Sequence, residues 1–222
     1  MIQSIPMKAA RAIPFLLLGL TLPAAARRHV SPPVQPATSY AAVEIHAREK
    51  VAVAAEPYDT PAKESFFRVD YLAHGVLPIR LIVTNSGSLP VRFDNAQFFF
   101  VTAAGDALPA ATAEDVERRI SLREREGAKV PMPFPFPGLR LKPKASDQEV
   151  EQDFATFAFR PLDVAPHTTR AGFLFYDLSG LDHPLHGASL RVRGLRSASG
   201  NPLFSFEIPF DRYLQSKSSQ MN

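Results

Sequence analysis

The chain has 222 residues, with 25 basic and 22 acidic side chains for a formal net charge of +3. It holds 17 phenylalanines and 21 prolines but no tryptophan and no cysteine. That last absence excludes disulfides, thiolate metal sites, cysteine nucleophiles and a lipid anchor on an N-terminal cysteine.

Residues 1–26 have the order of a cleavable secretory signal. Met1 to Pro14 carries Lys8 and Arg11 and no acid, Phe15 to Leu22 is an apolar run, and Ala24-x-Ala26 is a small-residue pattern that signal peptidase accepts. The competing reading is a membrane anchor, which needs roughly 20 apolar residues in a helix. This run is shorter and Arg27-Arg28 close it. Cleavage after Ala26 is expected, with Met7 as an alternative start, and the protein is expected to be exported, periplasmic or extracellular. Membrane association is expected only if the signal segment is retained. Setting Lys8 and Arg11 aside leaves 23 basic against 22 acidic residues, or +1. Such a balance offers no electrostatic basis for nucleic acid as a partner.

Residues 27–47, with Pro32, Pro33 and Pro36 among small residues, read as a proline-rich linker. Residues 48–214 read as one domain. Its first strands are a weak Val51-Ala52-Val53, a better Phe66 to Tyr71, and a strong Pro78 to Thr84 with Ile79, Leu81 and Val83 on one face. Asn85-Ser86-Gly87-Ser88 supplies turn chemistry. Val91-Arg92-Phe93 and Ala96 to Val101 follow, and the apolar run Phe98 to Val101 suggests a strand covered on both faces.

From about 107 to 158 the pattern changes to a helical and proline-rich insertion. Thr112-Ala113-Glu114-Asp115 resembles a capping box ahead of a short helix over about 113–123, with Val116 and Ile120 one turn apart. Proline occupies every second position from Pro131 to Pro137, which forbids helix and central strand. Ser146-Asp147-Gln148-Glu149 then caps a second helix bearing Val150 and Phe154. Strands resume at Arg160 to Pro166, Thr169 to Asp177, Leu190 to Arg193 and Leu203 to Ile208, and residues 215–222 form a polar tail. Short strands at about 10-residue spacing predict an all-β antiparallel sandwich, with a barrel as the alternative.

Three segments carry a resemblance. Leu77 to Asn85, Ala171 to Asp177 and Phe206 to Asp211 resemble strands of exported bacterial immunoglobulin-like β-sandwich proteins. The resemblance covers about Phe66 to Leu214, matches the insertion poorly, and implies an immunoglobulin-like fold while transferring no catalytic residue. The cysteine pair and core tryptophan of antibody domains are absent.

Candidate chemistry is sparse. His183 and His186 are three apart, a metal-binding spacing on a helix, but Pro184 and Gly187 place them in a loop. Asp177, Asp182 and Asp211 match no calcium-loop spacing. No nucleophile elbow, phosphate loop, dinucleotide fingerprint or zinc-protease helix occurs, so no cofactor is expected. The phenylalanines at 98, 100, 173, 175, 204 and 206 are expected in the core. Met132, Phe134 and Phe136 between prolines, with Arg140, Lys142 and Lys144, make a candidate interaction surface. A second basic group, Arg191, Arg193 and Arg196, reads as a solvated strand face. The functional expectation is a non-catalytic exported binding or structural module that meets another envelope protein or polymer. The alternative is a carboxylate-dependent hydrolase or carbohydrate-active enzyme using Asp177, Asp182, Glu207 or Asp211.

Overall fold

The computed structural model describes residues 29–127, 145–160 and 163–221. In chain order the strands are β1 (Val43–His46), β2 (Val51–Pro57), β3 (Val76–Asn85), β4 (Val91–Arg92), β5 (Gln97–Val101), β6 (Ala107–Pro109), β7 (Asp163–Val164), β8 (Thr168–Asp177), β9 (Ser189–Arg193), β10 (Arg196–Ser197) and β11 (Phe206–Pro209). The helices are α1 (Pro61–Glu64), α2 (Ala113–Gly127), α3 (Ala145–Phe157) and α4 (Asp211–Met221). One four-stranded sheet has the order β1-β2-β3-β8 and another the order β11-β9-β5-β6, while β10-β4-β7 make a small third sheet. All strand pairs within these sheets are antiparallel.

Strand β3 organises the molecule because period-2 alternation gives it two apolar faces. Leu77, Ile79, Leu81 and Val83 point one way and meet Phe100, Leu190, Val192, Phe206 and Ile208 of the second large sheet. The two sheets therefore face one another across a shared core. The opposite face is covered in two parts. Val116 and Ile120 of α2 with Val150, Phe154 and Phe157 of α3 pack on Val76, Phe173 and Phe175. Ala37 and Tyr40 pack on Ala52, Ala54 and Ile82. Strands buried on both faces are apolar almost throughout, as β3 and Gly172–Tyr176 are.

The capping box before α2 forms as read: Asp115 N donates to Thr112 Oγ1 (3.2 Å) and Thr112 N donates to Asp115 Oδ2 (3.1 Å). Asn85, at the end of β3, is buried; its Nδ2 donates to Leu89 O and Val164 O, and its Oδ1 accepts from Gly87 N. The free edge of β8 is closed by backbone, with Phe159 N donating to Phe173 O (2.9 Å) and Ala111 N to Phe175 O (2.7 Å). Gly172 permits this approach, since a Cβ there would stand 2.6 Å from Phe159 Cα.

Several expectations are corrected. Phe66 to Tyr71 is not a strand. The amides of Arg68 and Val69 turn toward the fully buried carboxylate of Asp153 on α3, at 2.8 and 3.3 Å, and Tyr71 Oη and Arg68 Nη1 donate to it at 3.2 and 2.9 Å. The segment expected as a linker over 27–47 supplies strand β1 and the buried Ala37. The expected polar tail is the C-terminal part of α4, which starts at Asp211. Ala107–Pro109, placed in the insertion, pair with β5. Phe204 is 76% exposed, because β11 begins only at Phe206. Phe100, Phe173, Phe175 and Phe206 are buried and Phe98 packs against the core, as expected.

Candidate functional site

Beyond Pro57 at the end of β2, the chain turns through Tyr58 and Asp59 into α1, whose N-cap Thr60 accepts a hydrogen bond from Lys63 N, with Pro61 in the first turn. Helix α4 carries Tyr213 and Lys217 one turn apart, hence on one face. The two helices meet at Asp59. Its Oδ1 accepts from Tyr213 Oη (2.6 Å) and its Oδ2 from Lys217 Nζ (2.7 Å). Lys63 Nζ donates to Glu56 Oε1 (3.2 Å), Pro57 O (3.0 Å) and Tyr213 Oη (3.3 Å), and it stands over the Tyr213 ring at 4.8 Å from the centroid. Burial, then the hydrogen bond to Asp59, pushes the Tyr213 phenol well above its ordinary pKa, so it stays a donor at neutral pH.

These groups border a cleft of about 450 Å³ whose other walls are small side chains, among them Ala41, Ala42, Ala55 and Ser216. Tyr40 also borders it, and Arg80 Nη1 reaches the Tyr40 hydroxyl at 3.5 Å from beneath. Two cations, Lys63 and Lys217, thus stand against two carboxylates, Glu56 and Asp59. A second cleft of about 340 Å³ shares Asp59. It is floored by Leu72, Leu77, Leu178, Leu185 and Leu214, and it carries His183 and His186. Asp59 therefore joins a polar cleft to an apolar one.

The two histidines do come together, edge to face with ring centroids 5.7 Å apart. Among the described residues, no group of three or more His, Asp or Glu side chains could hold a metal ion. Among the described residues, the four carboxylates of the hydrolase alternative share no hydrogen-bond or ion-pair partner. Asp177 accepts from Ser179 N and pairs with Arg119 (3.6 Å), Glu207 pairs with Arg191 (3.1 Å), Asp211 accepts from Gly187 N, and Asp182 is exposed. Arg193 lies over the Phe99 ring at 4.7 Å and donates to Gln97, on the outer face of β9. Met132, Phe134, Phe136, Arg140, Lys142 and Lys144 lie outside the described residues, as do residues 1–28 with the expected signal.

One carboxyl pair escaped the sequence. Glu64 is 4% exposed, and its Oε2 accepts from Leu72 N while Oε1 has no hydrogen-bond partner. Burial first, then the nearby Asp70 carboxyl, pushes its carboxyl up to about 8. That same contact, with Ala73 N on Asp70 Oδ1 (3.0 Å), holds Asp70 below the usual carboxylate range. The pair shares one proton at neutral pH and lies on a cleft of about 220 Å³. No local signal marks it, because Asp70 falls in a segment that reads as a strand. Asp59 and Tyr213, separated by 154 residues, likewise form no pattern in the chain.

No family model and no curated protein matches the chain. Among solved structures, it is similar to a Bordetella pertussis protein provisionally called ApaA, at 13% identity over 79% of this chain and 92% of that one, with a TM-score of 0.33. It is also similar to another structural-genomics target, at 9% identity over 72% of this chain and 82% of that one, with a TM-score of 0.27. At those TM-scores neither likeness carries an argument about fold or function. Among the described residues no helix is long and apolar enough to cross a membrane.

Proposed function

We propose that this chain is an exported, non-catalytic binding module of the bacterial cell envelope, with an immunoglobulin-like sandwich as its scaffold and another envelope protein or polymer as its partner. The leader-like residues 1–26 support export. The two facing antiparallel sheets and the three strand motifs support the scaffold.

One observation carries the binding reading: the polar groups around Asp59 already satisfy one another. Both Asp59 oxygens are engaged and Lys63 makes three hydrogen bonds. General-base or nucleophilic catalysis needs a group free to take a proton or attack. A pre-set cleft of mutually held charges suits recognition of a partner's polar or charged group. Gentle cross-linking of envelope fractions should capture the protein with a partner of constant size. A protein that stays monomeric and alone counts against the reading.

Glu64 and Asp70 favour a second reading, in which a proton-sharing carboxyl pair serves a hydrolase. Under it Glu64→Gln abolishes hydrolysis of the substrate. Under the binding reading the same change alters only stability and its pH dependence.

A further inference from the structure

Arg80 is among the largest fully buried side chains of the molecule, 2% exposed, and its charge has an unusual set of partners. Nη2 donates to Pro32 O (2.6 Å) and Pro33 O (3.2 Å), and Nη1 reaches Tyr40 Oη at 3.5 Å. The Tyr58 hydroxyl also lies close enough to feel the guanidinium, while Nε is buried with no hydrogen-bond partner within normal geometry. Glu56 stands directly across from Arg80 in the β2–β3 register but gives its Oε1 to Lys63. The hydrogen bonds of this guanidinium, among the described residues, thus go to neutral oxygens alone. Burying a charge without an opposite charge is costly. The Nε–Nη2 edge of an arginine fits a carboxylate through two parallel hydrogen bonds. Here that edge holds two backbone carbonyls and leaves one donor over.

The cover itself is slight. Residues 30–36 run over Arg80 as an extended, proline-rich strap, with Val30 67% and Val34 49% exposed and Pro33, Gln35 and Pro36 exposed as well. Its attachments are main-chain carbonyls on Arg80, with His29 Nδ1 at 2.7 Å from Phe66 O on one side and Ala37 N donating to Thr84 Oγ1 at 2.8 Å on the other. The molecule therefore shows that this groove accepts an extended polypeptide, and that it reads the main chain more than the side chains.

We propose that Arg80 is the carboxylate-binding residue of a groove for an extended polypeptide segment, which the chain's own residues 30–36 occupy as a displaceable cover. The ligand is an extended peptide whose carboxylate takes Nε and Nη2 together and supplies the charge that the strap lacks. The groove is separate from the Asp59 cleft, although Tyr40 borders both, and the proposal stands or falls independently of that cleft. The tethered strap competes at an effective concentration on the order of millimolar, so loosening it should reveal the site.

The probe is a dye-labelled peptide with the sequence of residues 29–33, His-Val-Ser-Pro-Pro, whose terminal carboxylate falls where the Pro33 carbonyl now sits. It is compared with the same peptide as a carboxamide. The protein is the full chain, in its native sequence and with Pro32→Gly and Pro33→Gly, which enlarge the freedom of the released strap. The free acid should bind the glycine variant about tenfold tighter than the carboxamide does, bind the native chain more weakly, and shift the Arg80 Nε–H resonance. Arg80→Lys, which keeps the charge but loses the two-donor edge, should erase the difference between acid and carboxamide. Equal binding of the two peptides, no binding, or binding that leaves the Nε–H resonance unmoved in the arginine-bearing chains would overturn the proposal. Acetate competing as well as the peptide acid would also overturn it, by reducing the groove to a bare anion site.

Discussion

The imidazole of His46 lies stacked on the ring of Phe206, with centroids 3.9 Å apart and 15° between the planes. It joins the edge strands of the two large sheets, β1 and β11. Nδ1 meets Glu49 Oε2 at 2.8 Å and Nε2 meets Glu44 Oε1 at 2.9 Å. The other oxygen of each carboxylate accepts from the β11 side: Phe204 N donates to Glu49 Oε1 at 2.9 Å, and Glu207 N donates to Glu44 Oε2. On the same edge Arg212 Nη1 donates to Val43 O at 3.2 Å. Burial pulls the proton affinity of His46 down, but the hydrogen bonds and charges of Glu44 and Glu49 outweigh it and hold the pKa above 6.5. A group whose pKa is raised on folding stabilises fully below its unfolded value, and that contribution is lost as pH rises through the folded value.

Stability relative to a His46→Gln variant should therefore be greatest at pH 5 to 6, as a rough window, and shrink above the ordinary histidine value. Urea midpoints of both proteins between about pH 5 and 9 check this, and the difference cancels the separate contribution of Glu64. Parallel curves would show that the proton on His46 does not hold the edges together.

Asp153 is fully buried and accepts from two backbone amides, one phenol and one guanidinium. Asp153→Ala leaves a buried set of donors without an acceptor and should cost about 3–5 kcal/mol in urea unfolding. Hydrogen exchange at the amides of Arg68 and Val69 should lose its protection in the same variant. A loss below about 1 kcal/mol would mean that the 66–71 segment is held by its aromatic packing instead.

Gly172→Ala tests the closed edge of β8. Its Cβ would lie 2.6 Å from Phe159 Cα and 2.8 Å from Phe159 N, both backbone atoms. The strand and the 158–159 segment must separate, at a cost of about 1–3 kcal/mol. The Phe159 amide, which donates to Phe173 O, should exchange faster. Unchanged stability and exchange would contradict the close approach.

What the sequence revealed follows from how local the cause is. The two faces of β3 and the cap of α2 depend on neighbours in the chain, and both were legible. The 66–71 segment was not, because the carboxylate that claims its amides lies 85 residues downstream. Strand β1 was hidden for another reason: the side chains of Glu44 and His46 build a polar clasp where an apolar face would have announced a strand. The candidate site depends on Asp59 meeting α4, so Lys217, from the segment that reads as a polar tail, became part of it. His183 and His186 were legible as a pair, yet the leucine floor beside them was not, since its residues come from four separate segments.

If the protein is a binding module, the Asp59 cleft is where it should receive its partner. A photo-cross-linker placed at Ser216, which borders the cleft, tests it most directly when compared with one at the exposed Ala198. In envelope fractions, position 216 should give one adduct of constant mass and position 198 none, and Lys217→Glu should abolish that adduct. Adducts that are equal at both positions, or absent from 216, would contradict it.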